Sequence, residues 1–504
     1  MCAESRKSSV AIALNNEESV QAYFSDYFSV LPQIIEDYGA FNISLLNDLP
    51  LFIDPFLLFN SRKSEYRDLH DSMIRYLRFL RDKSAAGGGH RGLIQAWYRF
   101  PEVRQNWLGF SLKGNRGSGL GRDFAQELHE NLHRIFADFG EETVSRGSHL
   151  EKLCLFSDGV GKDNISDFTT NLIKEYLLEY TQSFAREHIN RQFRRRVMVS
   201  RVRFNYHTES WERDVYELPI FNEDYVLLTP KDMLTRDDTW INRADLLDEF
   251  DEIPAAIAND ELRAQINNYF AKQLPEKPKD KDRREAAKQT IREFPEIIDY
   301  FIRYKEDRGN DARDLSALKV AESDQLYVKQ FKQLLSELFT ETDFYDLVGD
   351  TYDEAYRRVT FLKDVIENKD GYRIFYIKGQ PIERESDLQI MFRLTWYATP
   401  SDVNREVNNG RGPVDFKISR GSSDSTLVEF KLAKNSRLRD NLQKQVEIYQ
   451  KASDSAKAVK VILYFTQQEK ERVIKILTEL KLTDCKDIVL INARNDDKVS
   501  ASKA

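Results

Sequence analysis

Two short segments near the end of the chain alternate apolar and ionisable residues with a period of two. In Pro413-Val414-Asp415-Phe416-Lys417-Ile418, the apolar Val414, Phe416 and Ile418 interleave with Asp415 and Lys417. In Leu427-Val428-Glu429-Phe430-Lys431-Leu432, the apolar Val428, Phe430 and Leu432 interleave with Glu429 and Lys431. Successive side chains of a strand point to opposite faces, so each segment has one apolar face and one charged face. Paired in a matching register, the two strands bring Asp415, Glu429 and Lys431 to one face of a sheet. Two carboxylates buried side by side cost on the order of several kcal/mol unless a cation balances them. Oxygen donors suit Mg²⁺ or Mn²⁺. A lysine one pleat away, at Lys431, can orient an attacking water, deprotonate it as a neutral amine, or as an ammonium steady negative charge developing on a phosphate. The alternative is a surface hairpin carrying solvated salt bridges.

The flanking elements must hold these groups in place. A helix is expected over Arg384 to Tyr397, where Glu385 shares a stripe with Leu388, Phe392 and Trp396 and so points a carboxylate toward the sheet. Glu383 and Asp387 take that role if the helix is phased differently. A second helix is expected over Ser436 to Ala452, with Leu438, Leu442, Gln445, Tyr449 and Ala452 on one stripe. A strand at Tyr372 to Ile377 precedes them, and a strand at Val459 to Phe465, a helix at Gln468 to Leu480 and a strand at Ile488 to Ile491 follow. Helices and strands in this order predict a small α/β domain with a central sheet.

The arrangement of a helical Glu, an Asp on one strand, thirteen intervening residues, Glu-x-Lys on the next strand and then a helix resembles the PD-(D/E)xK nuclease superfamily. Gln445 and Tyr449 are similar to the QxxxY motif of its RecB-like branch, and the resemblance covers residues 380 to 492. One departure is Val414, which separates Pro413 from Asp415. The resemblance implies a restriction-endonuclease-like domain with a central mixed sheet, in which Asp415, Glu429 and the backbone carbonyl of Phe430 ligate Mg²⁺ or Mn²⁺. It further implies that Lys431 serves the water, that Glu385 supports the metal or its hydration shell, and that Gln445 and Tyr449 position the site or the phosphate backbone. DNA is the substrate this implies, with RNA left open. Chains of this kind look like bacterial restriction or anti-phage effectors, in which the nuclease domain is joined to a sensor.

The remainder of the chain is read as an α+β multidomain protein. A length of 504 residues predicts two or three domains. With 31 Phe and 23 Tyr, and 41% apolar residues, it can bury real cores. Residues 1–273 read as a helix-rich region with helical periodicity at Glu65 to Lys83 and Arg122 to Phe139, and β-like stretches at Val197 to Tyr206 and Asp224 to Leu228. Leu274 to Lys288 reads as an exposed charged connector, opening a segment 274–370 whose helices Val320 to Phe339 and Tyr352 to Glu367 bridge the two halves. The nuclease domain is placed at 371–495 and a polar tail at 496–504.

Other features point less sharply. Net charge is −8, so any contact with nucleic acid must be local. Lys434, Arg437, Arg439 and Lys417 beside the Glu-x-Lys strand, and Arg194, Arg195 and Arg196 in an arginine-rich stretch, are the candidates for phosphate contact. The glycine-rich Gly114 to Gly121 lacks the Lys-Ser/Thr of a Walker loop and reads as a flexible loop. Asp158, Asp163 and Asp167 do not fit a calcium loop and are explained by a helix N-cap at Ser166 or Asp167. His129 and His133 stand at i, i+4 without an HExxH motif. Cys2, Cys154 and Cys485 suggest neither a disulfide framework nor a zinc module. No apolar run approaches the roughly 18 residues of a membrane helix, and Val10 to Leu14 is too short for a secretory signal core, so a cytoplasmic protein is expected. The large N-terminal region is expected to supply specificity, autoinhibition or oligomerisation, as a homo-oligomer or with a partner protein from the same system. Two other readings stay open: a non-catalytic nucleic-acid-binding or assembly subunit on a nuclease-like scaffold, and a regulatory protein whose N-terminal region binds a nucleotide or partner.

Overall fold

The computed structural model describes residues 22–46, 48–87, 91–109, 122–137, 139–156, 160–236, 238–341, 349–377, 379–396, 402–408, 413–420, 424–443 and 457–497; for 402–408 and 413–415 the description is of the backbone. The chain is mixed α and β, with long helices in its first two thirds and a five-stranded mixed sheet near its end. Among the described residues no helix is long and apolar enough to cross a membrane.

The sheet is built from β1 (Asp402–Asn408), β2 (Pro413–Arg420), β3 (Asp424–Leu432), β4 (Lys457–Tyr464) and β5 (Ile488–Asn492), side by side in chain order. The first two ladders are antiparallel and the last two parallel. One face carries Phe416, Ile418, Val428, Phe430, Val459, Val461 and Ile491, all buried. Helix α1 (Thr351–Asn368) crosses this face with Val359, Leu362, Val365 and Ile366, each stabilising the fold by about 1.5–3 kcal/mol through burial. Its start is fixed by Asp350, which accepts from the backbone N–H groups of Tyr352 and Asp353 at 3.0 and 2.9 Å. Helix α2 (Glu385–Thr395) packs Leu388, Met391 and Phe392 into the same core. On the opposite face, α3 (Gln467–Glu479) and the helical residues 438–443 cover Ile462 and Tyr464 with Leu438, Leu442, Val473, Ile476 and Leu477.

The core over α1 does not stop at the sheet. Phe24, Leu58, Phe184, Leu228, Tyr327, Phe331 and Leu334 belong to the same apolar cluster as Phe430 and Val461. A second cluster joins Phe56, Leu80 and Phe168 with Ile266, Ala287, Phe301 and Ala312, so no gap in the core falls at residue 273. The expected connector is instead the helix Asp280–Glu293, which turns Ala286, Ala287 and Thr290 inward and ties Arg283 and Arg284 to Asp251 and Asp248. Its buried side is small and weakly apolar, which is why a count of apolar residues missed it.

Other boundaries move for local reasons. The expected helix over Val320 to Phe339 is three consecutive pieces, Gly309–Ser323, a π-helical stretch Asp324–Gln330 and Phe331–Glu341. Tyr372 to Ile377 is a 3₁₀ turn, Gly371–Phe375, followed by a two-residue strand. Val197 to Tyr206 falls into two strands, Arg194–Val199 and Phe204–Asn205. β1 was not anticipated, because Asp402 to Asn408 has only two apolar residues. The helix expected to be capped by Ser166 or Asp167 runs Lys162–Leu172, so both lie mid-helix; Ser166 Oγ instead accepts the Ile53 N–H at 2.9 Å. Residues 114–121 and Asp158 lie outside the described residues.

Candidate active site on the central sheet

The burial pattern of β3 marks the site. Residues from Thr426 to Phe430 alternate between buried and half-buried, and the alternation then breaks at Lys431, which is buried although its neighbours Phe430 and Leu432 are buried too. β3 is the middle strand of five, so the alternative of a surface hairpin with solvated salt bridges does not hold.

Two carboxylates, from β3 and α2, flank Lys431. Its Nζ is 3.3 Å from Glu429 Oε1 on the same strand and 3.3 Å from Glu385 Oε2 at the start of α2. Glu385 is therefore the helical carboxylate that meets the sheet. Glu383 is exposed, and Asp387 is buried in a different network, 2.6 Å from the Tyr327 hydroxyl and 2.8 Å from Arg236 Nη2. Burial, followed by the neighbouring Asp387, pushes the Tyr327 pKa well up, which keeps its hydroxyl a donor.

Glu385 is fixed from the far end of β3. Its Oε1 accepts from Asn435 Nδ2 at 2.6 Å and from the Leu432 N–H at 3.3 Å. Asn435 also accepts the Arg437 N–H at 2.8 Å, which links the carboxylate to the turn opening the next helix. Arg472 of α3 braces that turn by donating to the carbonyls of Ala433 and Asn435, both at 2.9 Å.

A further cation enters from β4. Lys460 Nζ is 3.0 Å from Glu429 Oε2 and donates to the Asn441 carbonyl at 3.0 Å. The parallel register pairs Glu429 with Lys460, so the two are neighbours across the ladder. Sequence reasoning missed Lys460, Asn435 and Arg472. The signal for Lys460 was available: a lysine between Val459 and Val461, the one charged residue in the run Val459 to Phe465. Burying these ion pairs gives little net stability, because desolvation offsets the attraction, so stability alone does not account for them.

The ladder between β2 and β3 sets Phe416 against Val428 and Lys417 against Leu427. Continued by one residue, this register brings position 415 opposite Glu429; the Asp415 side chain lies outside the described residues, as do Gln445 and Tyr449. Among the described residues no group of three or more His, Cys, Asp and Glu stands together as a metal cluster. That includes His129 and His133, the latter 3.0 Å from Ser84 Oγ.

The basic candidates are dispersed. Lys434 reaches the Ile382 carbonyl at 3.4 Å, Arg437 is exposed, and Arg439 pairs with Glu479 at 2.6 Å. Arg194, Arg195 and Arg196 lie on the edge strand of a separate three-stranded sheet, where Arg194 pairs with Glu217 at 3.6 Å and the other two are exposed. Nearby Arg203 is engaged by Glu175, Glu212 and Asp214.

Residues 30–242 match the model of a domain of unknown function (DUF8370), and residues 351–467 match a second domain of unknown function (DUF8371). No curated protein and no solved structure matches the chain. The second match contains α1 to β4, and with them Glu385, Glu429, Lys431 and Lys460.

Proposed function

We propose that this chain is a metal-dependent nuclease that hydrolyses phosphodiester bonds, with DNA as its substrate, and that it serves as a regulated restriction or anti-phage effector. The observation that carries the reading is the Lys431 ammonium held between two carboxylates from separate elements, Glu385 on α2 and Glu429 on β3. This donor set suits a hard divalent ion: it is made of oxygens only, and its carboxylates already share one cation.

In this reading Asp415, Glu429 and the Phe430 carbonyl hold Mg²⁺ or Mn²⁺, with Glu385 supporting its hydration shell. Such an ion supplies Lewis-acid polarisation of the phosphate and an activated water. Lys431, as an ammonium, orients that water by donating a hydrogen bond and offsets charge on the phosphate. Asn435 and Arg472 keep Glu385 in position, and Lys434, Arg437 and Lys417 contribute positive charge along the rim. Gln445 and Tyr449 act on the site or the phosphate backbone, and the N-terminal region restrains or directs the reaction. A restriction-endonuclease-like fold is part of the same proposal, supported by the mixed sheet with helices on both faces.

A second reading draws on Lys460. With both Glu429 oxygens next to ammonium groups, the site has internal cations, as a non-catalytic nucleic-acid-binding or assembly subunit would need. The deciding experiment incubates the full chain and Lys431→Ala with plasmid, linear duplex, single-stranded DNA and RNA, with and without Mg²⁺. The nuclease reading expects ion-dependent cleavage by the wild type and a loss of about 100-fold or more in the variant. Binding without cleavage of any of the four, under all conditions, supports the second reading.

A further inference from the structure

We infer that Lys460 sets the divalent-ion affinity of this site, holding it low by competing for Glu429; the inference rests on the metal-site reading above. Lys460 is 5% exposed in the middle of β4, between the fully buried Val459 and Val461. Its ammonium is anchored at both ends of its reach, 3.0 Å from Glu429 Oε2 and 3.0 Å from the Asn441 carbonyl. Lys431 stands 3.3 Å from the other Glu429 oxygen.

Consequently a cation that takes Glu429 as a ligand meets two ammonium groups. Lys431 has a second carboxylate, Glu385, to turn to. Lys460 is buried and tied to a backbone carbonyl, so it stays near the ion. Two like charges a few ångströms apart at low effective dielectric repel strongly, and the penalty appears as weakened ion binding. The same ammonium offsets Glu429 before any ion arrives, which lets the carboxylate be buried without one. A phosphodiester brings the negative charge that balances Lys460. Ion and nucleic acid are therefore expected to bind cooperatively, each raising the affinity of the other by the same factor.

The test measures Mn²⁺ binding by titration calorimetry in the absence of nucleic acid, on the full chain. Lys460→Met removes the charge and keeps the length; Lys460→Gln removes the charge and keeps a donor for the Asn441 carbonyl, should the first variant fold poorly. Both are expected to bind Mn²⁺ at least about tenfold more tightly than wild type, while Lys460→Arg stays near it. A rise in melting temperature on adding Mn²⁺, larger in Lys460→Met or Lys460→Gln than in wild type, is the second expected readout. Equal or weaker binding in folded Lys460→Met and Lys460→Gln overturns the inference and leaves the metal site standing, provided that wild type binds and Glu429→Gln does not. If wild type binds no better than Glu429→Gln, the metal-site reading fails and this inference with it.

Discussion

The Arg236 guanidinium and the Asp387 carboxylate form a buried ion pair at 2.8 Å, joining the stretch matched by the first domain family to the helix that carries Glu385. Tyr327 completes it, with its hydroxyl 2.6 Å from Asp387 and its backbone carbonyl accepting from the Tyr23 hydroxyl. Asp387 lies two residues after Glu385 on α2, so whatever holds Asp387 also holds the site carboxylate.

Breaking this pair from one side should therefore be costly. Arg236→Met leaves Asp387 buried with a hydroxyl in place of a cation, and removal of one partner of such a pair costs about 3–5 kcal/mol. Urea denaturation of the full chain measures it. Arg236→Met combined with Asp387→Leu should recover part of the loss, because the second change removes the stranded carboxylate. Simple additivity of the two changes would show that the pair is not coupled.

Residues 371–504 should not fold alone. That segment lacks α1, whose Val359, Leu362, Val365 and Ile366 cover the sheet, and lacks Tyr327 and Arg236. Near-UV circular dichroism and a denaturant titration are expected to show no fixed tertiary structure and no cooperative transition. A sharp transition would mean that the shared core is dispensable. Comparing nuclease activity of this segment with the full chain consequently tests folding before it tests autoinhibition.

Asn435→Ala should separate activity from stability. It removes the 2.6 Å donor from Glu385 and the acceptor for the Arg437 N–H, at a stability cost of about 1–3 kcal/mol in all. If Glu385 acts as proposed, cleavage falls about tenfold while melting temperature shifts by a few degrees. Unchanged cleavage alongside that small shift would remove Glu385 positioning from the site.

His70 predicts a specific acid sensitivity. Burial, then the nearby His149, lowers its pKa from the ordinary 6.5 to about 3. Between these values the unfolded chain binds a proton that the folded chain refuses. The stability from neutral His70 is thus complete above about pH 6.5 and is lost as pH falls toward 3, with a slope approaching 1.4 kcal/mol per pH unit. His70→Gln should flatten the wild-type decline over this window, measured as unfolding free energy against pH. Parallel profiles would assign the acid sensitivity elsewhere.

The strands and helices around the site were legible because their patterns are local. Period-two alternation located β2 and β3, and the stripe of Leu388, Phe392 and Trp396 located α2 and put Glu385 forward beside Glu383 and Asp387. What escaped was set by distant contacts. Lys460 has meaning only once β4 lies beside β3, and Asn435 only once the turn after β3 meets α2. Asp387 could compete with Glu385 on helical phase alone; Arg236 and Tyr327, far away in the chain, decide between them. The helix Asp280–Glu293 was hidden because alanine and threonine form its buried side.

The π-helical stretch Asp324–Gln330 has one more consequence. A wide turn holds more residues than an α turn, so it resets which side chains face inward. Ahead of it Val320 and Ser323 are buried; beyond it Phe331, Leu334, Leu335 and Leu338 are. The wide turns absorb one extra residue, so gaining or losing a residue in the α-helical parts on either side would swing one half of the helix against the other by about 100°. Tyr327 would then leave Asp387, or the leucines would leave the core. Descendants of this gene should accept substitutions at the exposed Gln325 and Lys329, yet very few changes in the length of this helix.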